Sequence, residues 1–193
     1  VPSVQHKEIL FALNRGIRVY GCSSMGAIRA AELADCGMVG IGGIFRSYRD
    51  GTCTDDDEVA VAHADHEHSY RALSTPMVTI RRILSAAACK KIVTEETAAT
   101  LVVIAKQLFY ADRHWGTLIE RGRAAGLENA DLSALRTFVR GNSPDPKRDD
   151  AIEALRSIDR AGSSAPPRMP SFEATYNWAM LIADEVAQQE RSR

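Results

Sequence analysis

Apolar side chains recur every three or four residues through most of this chain, and two short runs depart from that rhythm. Leu10 and Leu13 stand in helical register with His6 after Pro2-Ser3, and Gly16 follows as a stop. This predicts a short amphipathic helix over 4–14 with His6 on its apolar face. Ile17-Arg18-Val19-Tyr20-Gly21-Cys22 is a β-type run and reads as a strand over 17–22. An alanine-rich helix over 24–36 comes next, with Gly37 suited to the left-handed position past its end. Gly40, Gly42 and Gly43 loosen the connection to a helical turn at 44–49, and Val59-Ala60-Val61-Ala62 is a candidate second strand. From residue 75 onward the period is helical. It predicts helices at 75–89, 94–110, 113–125, 131–140, 146–160 and 171–190, broken at Thr94, Gly126, Asn142-Ser143-Pro144 and a Gly/Ser/Pro stretch from 162.

Helix, strand, helix is half of a Rossmann-like or flavodoxin-like unit, so the expected class is α/β: a small core of that kind, followed by a mostly helical C-terminal part. The chain opens Val-Pro-Ser, without methionine, and one clear strand cannot make a sheet. The expectation is therefore a core truncated at its N-terminus.

At 193 residues and 45% hydrophobic, the chain can bury the core of one domain of ordinary size. Its net charge of −1 shows no basic face for neutralising phosphates, which argues against nucleic acid as a partner. The charge is unevenly spread, with six carboxylates and no lysine or arginine between residues 54 and 68. Cys22, Cys36, Cys53 and Cys89 are widely spaced without a Cys-x-x-Cys pair, and neither a signal peptide nor a membrane-length apolar stretch is present. A reducing, cytoplasmic setting is expected.

The chemistry concentrates where the first strand meets the second helix. Cys22-Ser23-Ser24-Met25-Gly26 places two hydroxyls at a strand-to-helix turn, where the first helical N–H groups have no partner within the helix. A hydrolase elbow needs small residues around such a serine, and Gly26 stands two residues after Ser24. The competing reading makes Ser23 or Ser24 a helix cap, worth about 1 kcal/mol. Cys22 is either a thiolate activated by the helix N-terminus or a small buried hydrophobe. His6 is the nearest base in sequence, and the start of a helix favours its neutral form. Arg29, Arg46 and Arg49 are candidates for an anionic group, although Arg29 also stands three residues before Glu32 and can pair with it. The acidic run Asp55-Asp56-Asp57-Glu58 and His63, His66 and His68 supply ligand atom types without the spacing of a dedicated metal motif. A solvated loop, or a docking patch for a basic surface, accounts for the run equally well.

Taken together, His6-Lys7-Glu8-Ile9-Leu10, Gly21 through Leu33, Phe45 to Tyr48, Arg49-Asp50-Gly51, Asp55 to Val61 and Tyr70 to Arg81 resemble the TfuA-like core domain. The resemblance covers residues 1–90 as an α/β core and leaves 91–193 as a helical region, with a terminal helix after a Pro/Ser linker at 162–170. It implies a protein that accompanies YcaO-type ATP-dependent enzymes in peptide thioamide formation. Its implied role is to hydrolyse the C-terminal thiocarboxylate of a ubiquitin-like sulfur-carrier protein and release sulfide to the YcaO partner, with no cofactor and no metal. Ser24, Met25, Gly26 and Arg29 match the family's serine turn, His6 its His-Lys-Glu start, and Asp55 to Asp57 its acidic run. Family members carry an opening α/β segment ahead of that start, which this chain is expected to lack. Two other classes compete with the hydrolase: a non-catalytic activator that docks on the YcaO enzyme, with Ser24 as a cap, and a generic serine hydrolase.

Overall fold

The computed structural model describes residues 4–141, 144–161, 170–175, 178–180 and 182. The elements run α1 (His6–Asn14), β1 (Tyr20–Gly21), α2 (Met25–Leu33), β2 (Val39–Gly40), α3 (Gly43–Arg49), α4 (Met77–Cys89), α5 (Glu95–Gln107), α6 (Trp115–Ala124), α7 (Asn129–Arg140) and α8 (Pro146–Ala161). Among the described residues the fold is mixed and mostly helical, with one two-stranded parallel sheet.

β1 and β2 lie parallel with Tyr20 opposite Val39 and Gly21 opposite Gly40, and α2 makes the crossover between them. The Val39 and Ile41 N–H groups donate to the carbonyls of Val19 and Gly21, each at 2.9 Å. The second strand is thus 39–40, and the strand expected at 59–62 does not form. Val59 follows a 3-10 turn at Asp56–Glu58 and is buried with Ala27, Ile28, Ile44 and Val78, while pairing begins only past it, where the Ala62 carbonyl accepts the Leu73 N–H at 2.7 Å and His63 bridges Ala72. The first strand contracts from 17–22 because the ladder engages only its second half; Ile17 is 57% exposed. At Gly21 the chains approach closely: a Cβ there would sit 2.0 Å from the Gly26 carbonyl oxygen and 2.8 Å from the Ala30 Cβ. Glycine is what lets α2 lie directly on β1.

The helical half folds as its period predicts. Met77, Ile80, Leu84 and Ala87 of α4 pack against Leu101 and Ala105 of α5, Leu118 of α6 and Leu132 and Leu135 of α7 in one buried cluster. Thr94 opens α5 by accepting the Thr97 N–H at 3.1 Å, and Glu95 and Glu96 in the first turn suit the positive end of the helix dipole. A second cluster joins Ile9 and Leu13 of α1 to Ala30 and Leu33 of α2. His6 is therefore not a member of the buried face of α1; it sits in the opening turn with its side chain 45% exposed.

Residues 171–175 are not helical, so the helix expected over 171–190 does not begin there. Residues 178–180 and 182 are helical, and the rest of that span, with linker residues 162–169, lies outside the described residues. Phe172 and Trp178 pack on Phe11 of α1 with ring centroids 5.5 and 5.1 Å away. Helix α8 returns to the other end of the α/β part. Both carboxylate oxygens of its buried Asp150 accept backbone N–H groups, from Gly43 at 2.7 Å and from Ile44 at 2.9 Å. No helix among the described residues is long and apolar enough to cross a membrane.

Candidate functional site

The carboxyl ends of β1 and β2 lie side by side, which is where parallel α/β units offer backbone donors to ligands. At the end of β1 the Ser24 N–H donates to the Cys22 carbonyl at 2.7 Å, closing a three-residue turn around Ser23. Ser23 has φ of +67°, a left-handed conformation that costs a residue with a Cβ about 1 kcal/mol or more. Its hydroxyl donates to the Lys147 carbonyl of α8 at 2.8 Å, with the Cys22 sulfur 3.4 Å away. Of the two serines, Ser23 is the one tied into the fold.

Ser24 stands at the N-cap position of α2, and its carbonyl accepts the N–H groups of Ala27 and Ile28 at 2.9 and 3.4 Å. Its hydroxyl makes no capping bond, so capping does not account for it. No buried side-chain oxygen or nitrogen among the described residues lacks a partner, and this unpartnered hydroxyl therefore reaches solvent. The N–H groups of Met25 and Gly26 make no hydrogen bond among the described residues. Both residues, with Arg29, line a cleft of about 180 Å³ walled by Ile9, Val19 and Met38. Ser24 itself is not among the cleft's lining residues but directly precedes Met25, and two unspent N–H groups next to a hydroxyl suit an acyl group whose oxygen becomes anionic.

His6 takes a different partner from the one expected of a base for these serines. Its Nε2 lies 2.7 Å from Glu32 Oε2, and the same oxygen accepts from Arg29 Nη1 at 2.7 Å. Glu32 lies seven residues into α2, about 10 Å along the axis from its start, so the His6 ring stands apart from the serine turn. Burial pushes the Glu32 carboxyl up, but the bonds from Arg29 and His6 outweigh it and hold the group below the usual carboxylate range. Arg29 links the two parts of the site, since it lines the cleft and holds Glu32.

Three of the four carboxylates of the acidic run are paired within the fold. Asp55, Asp57 and Glu58 bring ligand oxygens within 4.8 Å of one another, and the Lys106 ammonium reaches all three, at 3.0 Å from Asp55 and 3.1 Å from Glu58, with Asp57 also in contact. That ammonium supplies the positive charge a cation would bring. Arg81 grips Glu58 through two bonds of 2.9 Å, and Arg113 holds Asp57. Burial raises the Asp57 and Glu58 carboxyls; the hydrogen bonds from Lys106, Arg113 and Arg81 more than reverse this. Asp56 alone of the four stays exposed without such a partner. His63, His66 and His68 lie elsewhere, on an exposed loop where the Nδ1 atoms of His63 and His68 meet the Tyr70 carbonyl and Asp65. Arg46 and Arg49 are engaged by Glu153 and Asp35.

Sequence reasoning missed Lys147 and Asp150, Glu32 as the partner of His6, and the cations Arg81, Lys106 and Arg113. Glu32 carried a local signal in its spacing from Arg29. The others act across more than twenty residues of chain, where no spacing rule reaches. None of the curated proteins compared with the chain matches it. The family model described as TfuA-like protein matches residues 1–114, which holds the serine turn, His6, Arg29, the acidic run and its three cations, Arg81, Lys106 and Arg113. The chain belongs to the TfuA-like family.

Proposed function

We propose that this protein releases sulfide by hydrolysing the C-terminal thiocarboxylate of a ubiquitin-like sulfur-carrier protein, for a cytoplasmic YcaO-type enzyme that forms peptide thioamides. In this reading β1, α2, β2 and α3 are half of a Rossmann-like unit, residues 1–90 carry the chemistry, and the helical part from 91 supports them. The observation that carries the proposal is the Ser24 hydroxyl, which is not spent on capping and stands beside the unspent N–H groups of Met25 and Gly26. The Ser24 oxygen attacks the thiocarboxylate carbon while those N–H groups hold the oxyanion. The C–S bond then breaks, the serine proton leaves on sulfur as hydrosulfide, and water cleaves the acyl-serine to a carboxylic acid and the free hydroxyl. Arg29 faces the anionic end of the carrier, and His6 acts through Glu32 to hold Arg29 over the cleft.

The test is sulfide release from a thiocarboxylated carrier by the wild type beside Ser24→Ala and His6→Ala, each checked for folding by circular dichroism. Release that is lost in folded Ser24→Ala supports the hydrolase. A well-folded wild type that releases no sulfide with the YcaO enzyme present, yet stimulates that enzyme, overturns it in favour of the activator.

A further inference from the structure

We infer that helix α8, which lies outside the matched region, completes the serine site, with Asp150 and Ser23 as its positioning residues. Three observations combine. Ser23 occupies a left-handed conformation that a serine does not adopt without support, and its hydroxyl is anchored on the carbonyl of Lys147. That carbonyl lies in the first turn of α8, one turn ahead of Asp150. Asp150 is 5% exposed and grips the start of α3, just past β2, through two charge-assisted bonds to the N–H groups of Gly43 and Ile44. The receiving turn is shaped for it: Gly42 has φ of +98°, and a Cβ there would stand 2.2 Å from the Asp150 Cγ.

The grip has a direction. Asp150 fixes α8 to the start of α3, which directly follows β2, β2 is registered against β1, and the first turn of α8 thereby presents one carbonyl to the Ser23 hydroxyl. With Ser23 held, the turn closed by Ser24 N–H and Cys22 carbonyl keeps its shape, and the Ser24 hydroxyl keeps its aim beside Met25 and Gly26. The Lys147 side chain adds a second tether, since its ammonium donates to the Val59 carbonyl at 2.9 Å. Neither Asp150 nor Ser23 is asked to touch the reacting atoms. Their role is to hold a strained turn in one geometry, so their loss is expected to lower kcat more than it changes KM.

The experiment uses the full chain with Asp150→Ala, Asp150→Asn and, as an exposed control on the same helix, Glu153→Gln. The first readout is amide hydrogen exchange at Ser24, which depends on the turn and not on any substrate. The expected result is exchange at Ser24 at least tenfold faster in Asp150→Ala, less accelerated in Asp150→Asn, which keeps one acceptor oxygen, and unchanged in Glu153→Gln. The second readout is sulfide release from the thiocarboxylated carrier, which rests on the hydrolase reading. Here kcat falls at least tenfold in Asp150→Ala with KM within threefold, and Asp150→Asn recovers part of it. Faster exchange confined to Gly43 and Ile44, with Ser24 unchanged, overturns the inference, as does a wild-type kcat in Asp150→Ala. If the wild type releases no sulfide but Ser24 exchange rises in Asp150→Ala, the hydrolase reading fails and the coupling between α8 and the turn stands. Should Asp150→Ala not fold, Gly42→Ala expels the carboxylate from the opposite side and is expected to give the same pattern.

Discussion

Arg113 holds Asp57 through both its backbone and its side chain, one Nη donating to the carbonyl oxygen at 2.9 Å and the other meeting the carboxylate. The guanidinium is 1% exposed, and its Nε is satisfied by the Ala105 carbonyl at 3.1 Å. Arg113→Ala removes the one cation that fixes both atoms of Asp57 and opens a cavity beside α5. The expected cost is about 3 kcal/mol, seen as a fall of roughly 10 °C in Tm by calorimetry.

The same cluster gives the protein an acid dependence. Asp57 and Glu58 have folded pKa values below their unfolded ones, so their contribution is complete above the ordinary carboxylate range near 4 and is lost as pH falls through the folded values. Thermal unfolding followed from pH 6 to pH 2 is expected to show a steep loss of Tm below about pH 4. In Asp57→Asn that slope is shallower, although the variant is less stable at neutral pH.

Two helix starts offer a paired comparison. Thr94 accepts the Thr97 N–H and Ser24 accepts none with its hydroxyl, although both stand at N-cap positions. Thr94→Ala is expected to cost about 1 kcal/mol in chemical denaturation. Ser24→Ala is expected to stay within about 0.5 kcal/mol of the wild type. Equal losses in the two would return Ser24 to a capping role.

Gly21→Ala tests the contact between β1 and α2. The added methyl meets a backbone carbonyl oxygen at 2.0 Å, which no side-chain rotation relieves. A loss of about 3 kcal/mol is expected, measured by urea denaturation, because the helix must move off the strand. On the hydrolase reading, the same variant is also expected to lose sulfide release, through displacement of Met25 and Gly26.

The helices α4 to α8 were legible because a 3.6-residue period repeats through them and Thr94 and Gly126 punctuate it. β2 was not, since two residues containing a glycine make no alternation, while the run 59–62 read as a strand although Val59 is buried after a 3-10 turn and only Ala62 makes a backbone pairing, to Leu73. The serine turn was readable as a junction, but not the division of labour within it: Ser23, with its positive φ, bonds a carbonyl of α8 more than a hundred residues away, and Ser24 leaves its hydroxyl uncommitted to capping. The acidic run showed its charge and hid its neutralisation, because Lys106 and Arg113 lie about fifty residues further along the chain.

The contacts from Ser23 to Lys147 and from Gly43 to Asp150 each close a loop of more than a hundred residues. During synthesis the chain emerges N-terminal end first, at roughly 5–20 residues per second. The serine turn is therefore made early and locked late. For several seconds a nascent chain carries its candidate nucleophile without the helix that sets its geometry. On the hydrolase reading, a ribosome-bound chain arrested before α8 is expected to show no turnover, because the turn that precedes Ser24 is not yet held from the far side.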